Sequence, residues 1–210
     1  MTEDEAKAWL VENVDVSCET LAKLDLFRTI LVEASQSQNL ISASTIDQIW
    51  GRHIVDSAQL WPLAPRQVGD AWLDLGTGAG FPGIVIAILD PRPMHLVEER
   101  KGRAAFLSQV VEALDLNHCT VHGCKLQALK LSPVSVISAR AFAPLPKLLE
   151  LAHSFSTVKT RWLLPKGKSA QAELESLGRS WQGMFHVKQS VTDAEAAILV
   201  GSGVKRAKAT

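Results

Sequence analysis

The spacing of apolar residues changes character close to residue 70. Before that point apolar side chains recur at intervals of three and four residues, as in helices that bury one face. The pattern predicts three short helices, and Ser44 followed by Asp47 resembles a cap that opens the third. Pro62 and Pro65 end the region. We therefore predict an N-terminal helical extension, residues 1–68, packed on the rest of the chain.

Beyond this extension short apolar runs alternate with helical stretches. Five runs predict strands, at 71–75, 95–97, around Val121, 134–137 and 161–164. Two more runs, at 184–187 and 196–200, lie too close together for a crossover helix and are predicted to pair antiparallel. The alternation indicates an α/β fold with a Rossmann-like, doubly wound, mostly parallel sheet and a C-terminal antiparallel strand pair. We assign this core to residues 69–203 and a basic tail to residues 204–210.

Composition narrows the class of protein without identifying a partner. The 210 residues are 47% apolar and 21% charged, with a formal net charge of zero, as in a globular protein that buries a core. The first 70 residues carry 11 acids and five bases, so the rest of the chain has a net charge of +6. Three cysteines without paired spacing predict neither a disulfide framework nor a metal site. The acidic start and the short apolar runs predict a cytoplasmic protein with no membrane segment.

A glycine cluster follows the first predicted strand, and two cofactors could explain it. Glycines between a strand and a helix let the backbone turn tightly and approach a ligand. Gly78, Gly80 and Gly83 have the spacing of a dinucleotide site, and Glu98 follows 20 residues after Gly78. Such a match alone is weak, and a glycine turn without any ligand also remains open.

The residue before the cluster favours a different cofactor. Asp74 stands two residues before a G-x-G-x-G sequence, as in the first motif of S-adenosylmethionine (SAM)-dependent methyltransferases. A carboxylate is favourable near the ammonium and sulfonium of SAM, whereas it would repel a pyrophosphate. Glu98 fits both cofactors because an acid ending the second strand can accept hydrogen bonds from ribose hydroxyls. The core is also too short for the substrate domain of a typical dehydrogenase, so we favour methyl transfer over an NAD-linked oxidoreductase.

Several motifs together resemble one family. The chain is similar to the RsmG family, formerly called GidB, in five segments, at 39–42, 52–57, 74–83, 138–143 and 164–167. The resemblance implies a class I SAM-dependent methyltransferase that modifies N7 of one guanine in 16S rRNA, guanine 527 in the usual bacterial numbering. The implied partner is 16S rRNA in the small ribosomal subunit or its precursor.

The resemblance also implies which residues bind SAM. Transferred onto matching positions, the family's cofactor site falls on Gly76 and Phe81, on Leu126 and Gln127 after the third strand, and on Arg140 after the fourth. Gly78 and Glu98 complete the expected set. The chain departs from the family at Gln127, where Glu is usual, and at Lys125, where Arg is common. Backbone contacts to the adenine at 126–127 would survive these changes, whereas any contact specific to a carboxylate would not.

The implied reaction needs positioning more than acid or base catalysis. Guanine N7 has a lone pair and no proton to lose, so the enzyme must bring it to about 3 to 3.5 Å from the methyl carbon. We find no nucleophile with a partnered base in the sequence and assign no catalytic acid or base.

RNA binding would have to come from local charge. Residues 140–168 carry six bases and one acid, and the candidates for RNA contacts are Lys159, Arg161 and Lys166. A solvated basic face is the alternative. Phe81 and Phe142 could stack on an unpaired base or simply pack in the core.

Three questions stay open at this point. His53 and Asp56, three residues apart, either close over the cofactor pocket or only dock their helix. The substrate could be another RNA or a small molecule. A ribosome-binding factor that keeps the fold without methylating is a further alternative.

Overall fold

A seven-stranded sheet forms the centre of the computed structural model, which describes residues 1–65, 71–178 and 180–207. The strands run in the order β3-β2-β1-β4-β5-β7-β6. Their bounds are β1 Trp72–Leu75, β2 Met94–Val97, β3 Cys119–His122, β4 Val136–Ala139, β5 Arg161–Lys166, β6 Trp181–Gln189 and β7 Ala197–Arg206. Strands β1 to β5 are parallel, whereas β7 is antiparallel to both β5 and β6. The predicted fold class is confirmed.

Helices cover the two faces of the parallel part of the sheet. Their bounds are α1 Glu3–Val14, α2 Cys18–Ser35, α3 Asp56–Ala58, α4 Gly83–Leu89, α5 Lys101–Ala113, α6 Leu145–Ala152 and α7 Ala170–Glu175. Every residue of β1 and of β4 is buried, which explains their continuous apolar character. Alternate residues of β1 enter two cores, since Trp72 packs with α4 and α5 and Leu73 packs with α6. None of the described helices has the length and apolar character needed to cross a membrane.

The N-terminal extension begins with two regular helices. Thr2 and Glu5 form a capping box on α1, and the Ser17 side chain caps α2. Leu24 and Phe27 of α2 are fully buried in the same core as α4, so the extension packs on the sheet domain.

The predicted third helix is wrong in its start and its type. A 3-10 helix, Ala43–Gln48, follows Ser42, and a π-helical turn, Trp50–Val55, leads into α3. The cap predicted at Ser44 does not form, because Ser44 lies inside the 3-10 helix. Ser42 precedes that helix, and its side chain makes no capping hydrogen bond. The wider π turn occurs where the chain passes the functional site, a common place for such turns.

Only part of the predicted division into extension, core and tail falls on described residues. The boundary between residues 68 and 69 lies outside the described residues, as do residues 208–210 of the predicted tail. Val204, Lys205 and Arg206 belong to β7, because Val204 is buried and Lys205 pairs with Gln182 of β6.

Candidate functional site

The glycine turn joins β1 to α4 at the carboxyl edge of the sheet. Its start is fixed to β2, since the amides of Gly76 and Thr77 donate to the carbonyl of Val97 at 2.8 and 3.2 Å. Gly76 and Gly78 have φ values of +65° and +62°, a conformation that favours glycine. The turn thus faces the crevice between β1 and β4, where the strand order reverses and ligands bind in such sheets.

Asp74 holds this turn from below. Its carboxylate is fully buried, accepts a hydrogen bond from the Ser138 hydroxyl at 2.6 Å and accepts another from the Gly83 amide at 3.1 Å. Burial raises the pKa of Asp74 to about 6, against the lowering effect of these hydrogen bonds. The expected direct attraction between this carboxylate and a cationic cofactor is therefore corrected: the group fixes the turn.

Glu98 lies directly beside the turn, as predicted for a cofactor-binding acid. It is only 5% exposed, and its two oxygens accept hydrogen bonds from the amides of Gly78 at 3.0 Å and Arg100 at 2.8 Å. Each carboxylate oxygen has a second lone-pair site. The carboxylate is thus held in one orientation while retaining capacity to accept from a ribose.

Two other predicted cofactor residues lie on the same edge of the sheet. Leu126 and Gln127 belong to a 3-10 turn, Leu126–Ala128, that follows β3. Leu126 is buried in the core, whereas Gln127 and Lys125 are exposed. Lys125 and Gln127, the two departures from the family, therefore do not take part in the packing of this turn.

The open space beside the glycines is suited to binding SAM. A Cβ added to Gly78 would meet only the Arg103 guanidinium and the Gly76 carbonyl, both at 3.7 Å, so the front of the turn is open. Glu98 supplies the acceptor for ribose beside it. The residues present thus fit SAM, which would be held by the backbone at Gly76 and Gly78 and by the carboxylate of Glu98.

Phe81 lies beneath the site as packing. Its ring is 3% exposed, stacks on His53 at 4.9 Å between centroids and contacts Phe27 at 5.3 Å. Stacking on an RNA base is therefore the wrong interpretation for Phe81, because the ring is already covered. It connects the extension to the glycine turn.

Arg140 follows β4 and contacts the extension. Its guanidinium lies 3.3 Å from an Asp56 oxygen and 3.3 Å from His53 Nδ1, and sits 5.2 Å from the Phe81 ring centroid. Burial, together with nearby Arg140 and Arg52, lowers the pKa of His53 to about 4. The histidine is therefore neutral near pH 7 and can accept from Arg140. His53 and Asp56 dock their helix on Arg140 and Phe81, as the second interpretation predicted, and both also line the groove beside Arg140.

A groove opens beside Arg140, with a volume of about 1420 Å³. Its walls come from the extension, from the loops after β4 and β5, and from the β6–β7 loop. Phe142 lines the groove and also packs on the turn, since a Cβ on Gly76 would lie 2.7 Å from its ring. Ala141, between Arg140 and Phe142, has a φ of +51°, a strained value at a position that separates the two side chains.

The three RNA-binding candidates do not form one surface. Lys166 lies at the carboxyl end of β5 and lines the groove, but its ammonium is paired with Glu173 at 2.7 Å and donates to the Ala143 carbonyl. Arg161 begins β5 and Lys159 precedes it, so both lie at the opposite edge of the sheet. Grouping them with Lys166 around one site is wrong, although a separate role in RNA binding remains a prediction.

Two residues of this site were not predicted from the sequence. Thr192 of the β6–β7 loop donates to Asp56 at 3.1 Å, and Glu173 of α7 accepts from the Leu145 amide at 2.9 Å. Thr192 and Asp56 are 136 residues apart, and no local pattern predicts such a contact.

Comparisons with known proteins agree with this geometry. Residues 20–199 match the family model GidB, rRNA small subunit methyltransferase G. A protein of Sphingopyxis alaskensis named Ribosomal RNA small subunit methyltransferase G is 52% identical over 198 residues, covering 94% of this chain and 85% of that protein. A protein of the same name from Erythrobacter litoralis is 48% identical, covering 96% of this chain and 97% of its own length.

Solved structures show the same fold at low identity. A mutant of MtNAS in complex with S-adenosylmethionine has a TM-score of 0.61 and 15% identity, covering 99% of this chain and 85% of that chain. A SAM-dependent methyltransferase from Aquifex aeolicus has a TM-score of 0.58 and 14% identity, covering 83% and 97%.

These findings decide between the two interpretations of the glycine cluster. Methyl transfer with SAM as cofactor is confirmed as the class of activity, and the dinucleotide alternative is set aside. The family match spans the glycine turn and reaches into β7, so it covers every element of the site. The chain belongs to the GidB family of rRNA small subunit methyltransferases.

Proposed function

We propose that this protein transfers the methyl group of SAM to N7 of a single guanine in 16S rRNA, guanine 527 in the usual bacterial numbering. The substrate is the small ribosomal subunit or its precursor, and the reaction takes place in the cytoplasm. The observation that carries the proposal is the groove beside Arg140, because it adjoins the glycine turn through Phe142. The relatives of this protein are named as small subunit rRNA methyltransferases, which supports RNA as the substrate.

The groove has the size and lining for an unpaired nucleotide. Its volume of about 1420 Å³ exceeds that of a common small-molecule pocket, about 300 to 1,000 Å³. Phe142 is half-buried and supplies an aromatic surface next to the turn. Enzymes that modify a base take it out of its stack and hold it against such side chains. We place the guanine against Phe142, with N7 directed towards the glycine turn.

The chemistry at N7 agrees with the state of the carboxylates in the groove. In the transfer the N7 lone pair forms a bond to the methyl carbon, the carbon–sulfur bond breaks, and the positive charge passes from sulfur to the base. No proton has to be removed, so no general base is required. Of the four carboxylates that line the groove, Asp47, Asp56, Glu173 and Asp193, two are engaged in ion pairs: Asp56 with Arg140 and Glu173 with Lys166. The chain's contribution is to orient the base and exclude water.

Exposed cations at the same edge provide a surface for phosphates. Arg52 lines the groove, Arg100 and Lys101 follow β2, and Lys125 follows β3. All four are exposed, and none has an ion-pair partner within residues 1–65, 71–178 and 180–207. Cations that are not already paired bind phosphates without first breaking a contact. Arg52 lies in the groove, and the other three extend the same carboxyl edge of the sheet on the side of β2 and β3.

Methyl transfer to purified ribosomal subunits tests the proposal. Small subunits lacking the modification are incubated with the protein and labelled SAM, and the product is mapped by chain cleavage at N7-methylguanosine. We expect incorporation at one guanine, guanine 527. Binding of SAM without methylation of any subunit preparation would refute the substrate and leave the cofactor assignment intact.

Charge reversal tests the RNA surface with a matched control. We expect Arg52→Glu and Lys101→Glu to raise the KM for subunits several-fold, with a reduced dependence on salt. Lys159→Glu changes the same charge at the opposite edge of the sheet and is expected to leave the KM close to that of the wild type. An equal effect of all three would contradict an RNA surface confined to the carboxyl edge of the sheet.

A further inference from the structure

Asp56 is the point where three distant parts of the chain meet. It stands in the extension, contacts Arg140 after β4 and contacts Thr192 in the β6–β7 loop. We propose that Asp56 is a positioning residue that aims the Arg140 guanidinium at the cofactor site, and that Thr192 holds Asp56 in the orientation required. The proposal rests on the proposed function, SAM-dependent methyl transfer, and on the expectation from the family resemblance that Arg140 contacts SAM.

The two oxygens of Asp56 have separate tasks. Oδ1 accepts from the Gln59 side-chain amide at 2.9 Å and from the Thr192 hydroxyl at 3.1 Å. Oδ2 accepts from Arg140 at 3.3 Å, and the two side chains of this ion pair are 16% and 24% exposed. Because Oδ1 is fixed by two neutral donors, Oδ2 can point in only one direction. The pair is half-buried, so solvent screens it less than a surface pair.

The β6–β7 loop is itself anchored to the same helix. Gln59 donates to the Ser190 hydroxyl at 3.1 Å and accepts from the Val191 amide at 3.0 Å. The Ser190 and Thr192 hydroxyls lie 3.0 Å apart. The backbone of the loop is therefore held in place by Gln59, and the Thr192 hydroxyl donates to Asp56 from this fixed position.

His53 restrains the guanidinium from a second direction. Its Nδ1 lies 3.3 Å from Arg140 Nη2, and its Nε2 lies 3.3 Å from the Thr45 hydroxyl. Since arginine only donates, Nδ1 accepts and Nε2 carries the proton of the neutral ring. Arg140 also donates to the Arg52 carbonyl at 3.5 Å.

Arg140 retains N–H donors for a ligand after its contacts within the protein are counted. A guanidinium has five N–H groups, and three are used by Asp56, His53 and the carbonyl of Arg52. The other two are available for the cofactor. A guanidinium held on three sides loses little freedom when it binds, which is the physical advantage of positioning it in advance.

A double-mutant cycle on SAM affinity tests the positioning role. SAM is titrated by calorimetry into the wild type, Asp56→Asn, Arg140→Lys and the double variant, all without RNA. If Asp56 acts through Arg140, each single variant weakens SAM binding about tenfold and the double variant is no weaker than the weaker single. Losses that multiply in the double variant, or an Asp56→Asn protein with unchanged SAM affinity, would overturn the proposal.

A second series covers the case in which Asp56→Asn folds poorly. Thr192→Val removes one donor to Asp56, whereas Thr192→Ser keeps it. We expect the valine variant to bind SAM about threefold more weakly, at a thermal midpoint close to that of the serine variant, and the serine variant to restore binding. A valine variant that lowers only the thermal midpoint would show a structural role and overturn the proposal. Because SAM binding is measured without RNA, failure of the rRNA assignment would appear separately, as an absence of methylation by the wild type.

Discussion

Substituting two glycines with nearly equal backbone conformations distinguishes the effect of backbone strain from the effect of lost contact with SAM. Gly78 in the turn has a φ of +62°, and Gly178 after α7 has a φ of +56°. A Cβ at Gly78 would have no neighbour closer than 3.7 Å, and one at Gly178 would have none within 4 Å. Gly78→Ala and Gly178→Ala therefore add the same left-handed strain, about 1 to 2 kcal/mol, without a clash inside the protein.

Only one of the two variants is expected to lose the cofactor. Urea unfolding without ligand should show equal losses of stability, within about 0.5 kcal/mol of each other. Calorimetric titration with SAM should show at least a tenfold loss of affinity, about 1.4 kcal/mol, for Gly78→Ala and none for Gly178→Ala. The added methyl group would occupy the space in front of the turn.

A third variant extends the series to the groove. Gly76 has a φ of +65°, and a Cβ there would lie 2.7 Å from the Phe142 ring. Gly76→Ala should therefore cost a further 1 to 3 kcal/mol, roughly the cost of overpacking, and Phe142→Ala should recover part of it. The reasoning is refuted if Gly78→Ala binds SAM as tightly as the wild type, or if Gly76→Ala is no less stable than Gly178→Ala.

Three further predictions concern groups that the structure places under constraint. Glu98→Gln cannot accept from both backbone amides that Glu98 holds, so urea unfolding should show a loss of about 1 to 3 kcal/mol and calorimetry a SAM affinity reduced tenfold or more. His53 has a folded pKa of about 4, below its ordinary 6.5, so the stability it contributes above pH 6.5 is lost as the pH falls towards 4, by roughly 2 kcal/mol after allowing for partial exposure. Unfolding of His53→Asn from pH 7 to 4 should lack that part of the slope, and an unchanged slope would contradict it. Ser138→Ala leaves the Trp72 indole N–H and an Asp74 oxygen without their hydroxyl partner, so thermal unfolding should show a larger loss than Trp72→Phe, which leaves Ser138 and Asp74 bonded.

Apolar periodicity predicted the sheet because most of its strands are buried. The run at 161–164 lies within β5, whose four central residues are all buried. The edge strand β6 is longer than the predicted run at 184–187, since it spans Trp181–Gln189. Met184 and Val187 on this strand are 61% and 47% exposed, so no alternation marks its limits. Burial patterns predict a strand only where a face is covered.

The site was predictable where its residues belong to one βαβ unit. Gly76, Gly78 and Glu98 follow from a turn and the strand after it. In the structure the Gly78 amide bonds to Glu98 and the Gly76 amide bonds to the neighbouring Val97. Lys159 and Arg161 were wrongly grouped with Lys166, because closeness along the chain does not show which end of a strand a residue occupies. A strand of six residues separates its ends by about 17 Å, which is enough to move a residue to the other edge of the sheet.

The structure changes the reason for preferring SAM over a dinucleotide. Repulsion between Asp74 and a pyrophosphate does not explain the preference, because Asp74 is fully buried and bonded to Ser138 and Gly83. The position of Glu98 gives a different reason to favour SAM. Its carboxylate takes the Gly78 amide, at 3.0 Å, which in a dinucleotide site would be free for a phosphate oxygen. A pyrophosphate would have to displace a carboxylate from that amide and remain beside it, whereas a cofactor that presents ribose hydroxyls and a positive charge can bind without breaking the contact.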